Sequence, residues 1–331
     1  MTTTKLTPRR KLPQPRRLLV VLGALTVCTA ALATAALFIG AADSTTQIIT
    51  DIRAPRVILA LSIGAGLGVS GALLQGAFRN PLADPGLVGV SAGAALGTVL
   101  TVAVGAAYGS WLAAMGGVIG GIAAMASVMW IAKTPGRTEV VTLILAGVAI
   151  TAFAAAVLSI VVATSDSAGT RSTTFWTTGS FALATWPGVV ATLPFIAVGL
   201  VIAGALSGKL DALSLGDRAA YASGVPVRAV RWWALIAAVL TVAAGVAVVG
   251  IIVFIGLLVP HAIRLVLGPR HGRLIAGSAL GGALLILLAD TAARTLAAPV
   301  ELPVGVVTAI IGAPAFILLL RRTRREQGGW A

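Results

Sequence analysis

The residues of this chain that could do chemistry are few, and many of them sit in one stretch. Ser207 to Arg231, SGKLDALSLGDRAAYASGVPVRAVR, holds Lys209, Asp211, Asp217, Arg218, Arg228 and Arg231. Between Asp211 and Pro226 it reads as two short helices broken by Gly216 and Gly224, with a narrow apolar face of Leu213, Leu215, Ala219, Ala220 and Val225. That face is too small to form a core alone and suits docking into a groove on a partner. Elsewhere Pro260 and His261 interrupt the apolar run GIIVFIGLLVPHAIRLVLG, and the proline frees the carbonyl of Gly256. His261 and Arg264 are placed to satisfy such a group or to shape an inner mouth. Metal binding by His261 is the sharper idea. The chain's other histidine is His271 and no cysteine lies nearby, so a structural or gating role is expected and a metal is not. Asp290 and Arg294, one helical turn apart, make an intrahelical ion pair in the simplest view. In the functional view Arg294 joins Arg53 and Arg56 as an outer cluster that steers an acidic partner.

The missing sets matter as much. No Ser/His/Asp constellation and no HExxH is found, so a catalytic role has no residues to carry it. No G-x-x-x-x-G-K-[ST] exists either: Leu210 follows Gly208-Lys209, and Ala203 stands where the first glycine should be. Energy for any transport must come from another chain.

The elements that position these residues are membrane spans. The chain is 58% hydrophobic and 10% charged, with mean hydropathy +1.02, whereas about a quarter of a soluble domain is charged. About ten apolar runs have the length a bilayer requires, roughly 17 to 25 residues each. They are Leu18 to Ile39, Val57 to Phe78, Leu87 to Val104, Trp111 to Ile131, Val140 to Val162, Trp186 to Leu206, Trp232 to Val249, Ile252 to Leu267, Leu274 to Leu296 and Val304 to Leu320. Period-two alternation is absent, so the spans are helices and the fold class is an all-α polytopic bundle. The domain plan is a basic tail (1–17), a ten-helix membrane domain (18–320, with 207–231 as its long polar segment) and a second basic tail (321–331).

The formal charge of +14 invites a nucleic-acid partner, but the placement of the charge argues for topology instead. If the N-terminus is cytoplasmic, only Arg53, Arg56, Arg171 and Arg294 of the 24 Lys and Arg fall on the outer face. That is the positive-inside pattern, and it puts both termini in the cytoplasm. Trp111, Trp130, Trp176, Trp186, Trp232 and Trp233 fall at or beyond span ends, where interfacial aromatics belong. Cys28 is the single cysteine and excludes an intrachain disulfide. The first span is longer than a signal core and is expected to be retained, with Arg9-Arg10 and Arg16-Arg17 as orientation signals.

The connections are informative too. Ala41 to Ile52 reads as a short polar external loop, and Arg53-Ala54-Pro55-Arg56 starts the second helix. Phe78 to Gly86 contains Asn80, Pro81, Pro85 and Gly86, so the third span is entered through irregular backbone. At membrane depth such backbone must face protein or a water-filled cavity, which puts it beside a translocation path. The glycines of the second, fourth and ninth spans form small-xxx-small faces for helix packing. Thr164 to Ser180 is a polar external segment with a short interfacial helix expected around Phe175 and Trp176, and Pro299 to Gly305 makes a bent entry into the last span.

Taken in order, RAPR at Arg53, SGALLQGAFRNPLADPGLVGVSAGA at Ser70, LSLGDRAAYASGV at Leu213, FIGLLVPHAIRL at Phe254, Leu288 to Arg294 and ELPVGVVTAIIGAPAFILLL at Glu301 resemble the permease family that imports ferric siderophores, haem and cobalamin. The resemblance covers nearly the whole chain after the first span. It implies a type II ABC importer: two permeases, identical or paralogous, two ATPases that bind ATP with Mg, and an external substrate-binding protein. It also implies ATPase coupling through Leu213, Ser214, Leu215, Gly216, Asp217, Ala220, Gly224 and Val225, and docking of binding-protein glutamates on Arg53, Arg56 and Arg294. The gate would lie at the loop from Lys133 to Thr142, where Val140, Val141 and Thr142 stand; some relatives carry small hydroxyl residues there. No cofactor is bound by this chain itself, and ferric siderophore is the first expected cargo, before haem and cobalamin.

Two other classes find little support in the residues. An ion-coupled secondary transporter keeps acidic side chains at mid-membrane; here only Asp290 approaches a span interior, with Arg294 as its expected partner. An intramembrane enzyme would need the catalytic set that is missing.

Overall fold

A computed structural model describes residues 15–40, 45–134, 137–138, 140–165 and 173–326. The side chains of residues 133–141, Val140 and Val141 among them, lie outside the described set, as do the first fourteen residues and the last five. Among the described residues the regular elements are helices apart from a two-stranded ribbon pairing Lys133–Thr134 with Arg137–Thr138.

Every expected span is a helix. In chain order they are α1 (Pro15–Phe38), α2 (Ala54–Ala77), α3 (Val90–Ala103), α4 (Trp111–Ile131) and α5 (Val140–Thr164), then α7 (Trp186–Ser214), α9 (Val227–Val249), α10 (Ile255–Leu267), α11 (His271–Thr295) and α12 (Val304–Glu326). Two short helices, α6 (Thr173–Thr178) and α8 (Asp217–Ala222), lie between them. Local signals set the starts: Pro55 occupies the first turn of α2, and the hydroxyls of Ser110 and Thr185 accept backbone N–H groups at the starts of α4 and α7.

Among the described residues, seven helices are long and apolar enough to cross a membrane; α3, α10 and the apolar part of α12 are shorter. At 1.5 Å per residue, a helix as short as α3 reaches only about 21 Å of a hydrocarbon core about 30 Å thick. Irregular backbone precedes both α3 and α10, as the prolines before α3 lead one to expect. Gly250 (φ 78°) opens the second irregular segment and Phe254 (φ 70°) closes it.

α2, α9 and α11 form the buried centre, while α1 and α5 lie at the periphery. The broadest helix contact joins α2 to α11, and glycines set its closeness. A Cβ on Gly64 would lie 2.4 Å from the carbonyl oxygen of Gly282, and one on Gly68 would lie 2.1 Å from that of Ser278. Two backbones in such contact act as one bar across the membrane.

Four expectations need correction. The segment ending at Ile52 is helical from Thr46 onward, because a π-helical turn (Ile48–Arg53) runs straight into α2. Of the two short helices expected between Asp211 and Pro226, the first is absent: the sixth span continues as helix to Ser214, so only Asp217–Ala222 stands apart. α12 continues past Leu320 to Glu326. Trp176 is 0% exposed, packed edge-on against Tyr108 and Phe175. It is a core residue that ties α6 to the bundle, with its carbonyl accepting the N–H of Ile251.

Candidate functional site

At one end of the bundle, α7 leaves the apolar layer and turns back through α8 into α9. Gly216 (φ 109°) and Gly224 (φ 76°) make the two corners in backbone conformations that other residues resist. The apolar residues of this elbow divide between two faces. Leu213 and Ala220 are buried and hold the elbow to the bundle, whereas Ser214 is exposed and Gly216, Asp217 and Val225 are half-buried. Leu215 (77% exposed) and Tyr221 (78%) project outward. These two large apolar side chains and Arg218 are exposed on the elbow, where a partner could meet them. Tyr221 was missed in sequence because its aromatic ring sits among alanines that suggest no face.

Carboxylates fasten the elbow to its neighbours. Asp217 accepts a hydrogen bond from Arg231 Nη2 (2.8 Å) and lies 3.5 Å from Arg79 Nη2, while Arg231 Nε donates to the carbonyl of Ala77 at the end of α2. Asp211 Oδ1 accepts the backbone N–H of His271 (2.7 Å) and faces its ring Nδ1 (2.8 Å). A residue of α7 thus satisfies a free N–H in the first turn of α11.

The irregular entry to α3 packs beside this end. Asn80 and Asp84 use their side chains to hold the loop itself: Asn80 Oδ1 accepts the N–H of Leu82 (3.0 Å), and Asp84 Oδ1 accepts that of Gly86 (2.8 Å). Pro85 is buried and Pro81 exposed. A small cavity lies between Phe78, Asn80, Asp84 and Leu87 on this loop and Leu143 and Ile144 of α5. The loop and the start of α5, which carries Thr142, are therefore neighbours, as two parts of one path would be. Pro260 is buried in α10 and His261 half-buried. The carbonyl of Gly256 that Pro260 leaves free accepts from Gln75 Nε2 of α2 (3.3 Å). Gln75 supplies a donor that sequence reasoning sought in His261 or Arg264.

At the opposite end the structure brings Arg53, Arg56 and Arg294 together. Arg56 is buried and makes a forked contact with Asp290, Nη2 to Oδ1 at 2.7 Å and Nε to Oδ2 at 3.0 Å, and it also binds Glu301. Arg294 stands 3.9 Å from Asp290 and donates to the carbonyl of Ala36 (2.6 Å), while Arg53 donates to that of Leu37 (2.9 Å). Those two carbonyls are free ends of α1. The expected partner of Asp290 therefore changes: Arg56, across the α2–α11 contact, holds it more closely than Arg294 does. All three arginines are engaged within the chain, so an external carboxylate would have to exchange with these internal partners.

A many-helix membrane bundle with an exposed elbow at one end is an architecture suited to a membrane transport subunit. The profile of the FecCD transport family matches residues 18–322, and the chain belongs to that family. It is 39% identical over 290 residues to the hemin transport system permease HmuU of Yersinia pestis, covering 87% of each chain. It is 40% identical over 277 residues to the Fe(3+) dicitrate transport system permease FecD of Escherichia coli, covering 84% of this chain and 86% of that one. With the cobalamin import permease BtuC of Halobacterium salinarum it shares 41% over 284 residues, 85% and 75% of the two chains. A solved inward-facing chain, described as being of a metal-chelate type ABC transporter, superposes with TM-score 0.80 at 33% identity, over 92% of this chain and 99% of that one. The protein is thus a multi-pass permease subunit of an ABC importer in the cytoplasmic membrane. It is not itself an enzyme; ATP is hydrolysed by a partner ATPase.

Proposed function

We propose that this chain moves ferric siderophores inward, as one of two permeases served by two ATPases and an external binding protein. The observation that carries the coupling half of this reading is the elbow, with Leu215 and Tyr221 exposed at its tip and its base tied to α2, α9 and α11. The excess of Lys and Arg in the segments at that end supports a cytoplasmic side for it and for both termini. ATP-driven closure of the ATPases would displace the elbow, and helices around the loop from Asn80 to Gly86, the start of α5 and the Pro260–His261 segment would rearrange so that access alternates. The arginine end would receive carboxylates of the binding protein. Ferric cargo is favoured by relatives named for ferric citrate and ferric hydroxamate import.

Uptake of radiolabelled iron as ferric siderophore by iron-starved cells, with and without this chain, tests the reading beside haem and cobalamin controls. Loss of siderophore uptake alone supports it. Persistent iron uptake with failing haem or cobalamin uptake would leave the importer and overturn the cargo.

A further inference from the structure

The connection between the elbow and the bundle passes through an unusual helix end. α2 finishes with Arg79 in the left-handed region (φ 51°), a position that glycine normally fills in this kind of helix stop. The N–H of Asn80 reaches the carbonyl of Gln75 (3.1 Å) and that of Arg79 reaches Gly76 (3.3 Å), which completes the motif. An arginine there bears backbone strain that glycine would not. Its side chain is directed at Asp217 and Gly216, the first corner of the elbow. Arg231 grips the same carboxylate and the last carbonyl of α2. His271 grips Asp211 on one side, and on the other its Nε2 lies where a Cβ on Gly76 of α2 would meet it at 2.4 Å. Three cationic or imidazole side chains from outside α7 and α8 thus converge on the two carboxylates of the elbow. All three touch or belong to the last turn of α2.

We propose that Arg79, with Arg231 and His271, is a positioning residue for transport: it ties the elbow to the α2–α11 bar, so that displacement of the elbow is carried to the far end of the bundle. The inference rests on the reading of the elbow as the ATPase dock. Glycine at position 79 would relieve the backbone while deleting the tie. A purely structural role for Arg79 therefore predicts that Arg79→Gly is harmless, and a transmitting role predicts that it uncouples.

The test uses the tagged chain purified from its own cells with the ATPase it retains, reconstituted in proteoliposomes. A single cysteine is placed at Leu296, which is exposed at the far end of α11, in a Cys28→Ser background. Its modification by a membrane-impermeant maleimide is measured with and without vanadate-trapped ATP, alongside ATP hydrolysis. The reference chain is expected to change its modification rate on trapping. Arg79→Gly is expected to keep the ATPase and its hydrolysis but lose that response, and Arg79→Lys to restore it. In cells, the iron taken up from ferric siderophore per ATPase complex should fall about tenfold, within the ordinary range of coupling between sites. His271→Gln is expected to act in the same direction. A full response in both Arg79→Gly and His271→Gln would overturn the proposal, as would loss of the ATPase from Arg79→Gly. Absence of an ATPase from the reference chain would instead overturn the underlying docking reading, whereas a reference chain that keeps its ATPase but shows no response at position 296 would overturn the proposed transmission to the far end.

Discussion

The two ends of α2 each carry an arginine that meets an aspartate of another element, yet the two pairs differ in kind. At the far end Arg56 and Asp290 have side chains 8% and 0% exposed and meet in a fork. At the elbow Arg79 and Asp217 are 45% and 46% exposed and stand 3.5 Å apart. Water screens the second pair and not the first. A buried charge stripped of its partner is strongly unfavourable, whereas an exposed pair contributes little and exchanges readily. The far end therefore holds α2 against α11 through one dry fork, whereas at the elbow end the screened Arg79 contact is backed by Arg231 on Asp217 and His271 on Asp211, each at 2.8 Å.

Four changes would break or sharpen this contrast. Asp290→Ala leaves Arg56 with Glu301 alone in a buried site, and should destabilise the purified protein by about 3–5 kcal/mol; thermal unfolding in detergent measures it. Gly64→Leu forces a side chain into the backbone of Gly282 and should cost about 1–3 kcal/mol, with α2 and α11 separating where a cross-linking pair would report it. Asp217→Asn should change unfolding by less than about 1 kcal/mol, and a loss as large as that of Asp290→Ala would erase the distinction. Smallest is the effect of salt. Raising ionic strength from 0.1 to 1 M shortens the screening length from about 10 to about 3 Å, and should speed hydrogen exchange of α8 amides while leaving those near Arg56 unchanged.

What the sequence revealed follows the same divide between local and distant. The ten spans were legible because hydropathy is a property of a single segment. The irregular entry to α3 was legible because Pro81, Pro85 and Gly86 forbid helix wherever they fall. The joining of Arg56 to Asp290, 234 positions apart, was not, since it depends on which helices become neighbours. The i,i+4 spacing of Asp290 and Arg294 pointed to the nearer partner, and burial chose the other. Gln75 beneath Gly256, and Asp211 at the start of α11, escaped for the same reason. Trp176 shows the limit of the interfacial-aromatic rule: position near a span end says nothing of whether the ring faces lipid or protein. The arginine cluster itself was foreseen from charge placement, while its engagement within the chain was visible only in three dimensions.

On the proposed reading the α7–α8–α9 elbow receives the ATPase through Leu215 and Tyr221. Co-purification of the ATPase with Leu215→Glu/Tyr221→Glu, compared with the unaltered chain, tests it most directly. Both side chains are exposed, so the double variant should fold with an unchanged thermal midpoint, lose the ATPase and lose ATP-driven iron uptake. A variant that retains both the ATPase and uptake would contradict the account.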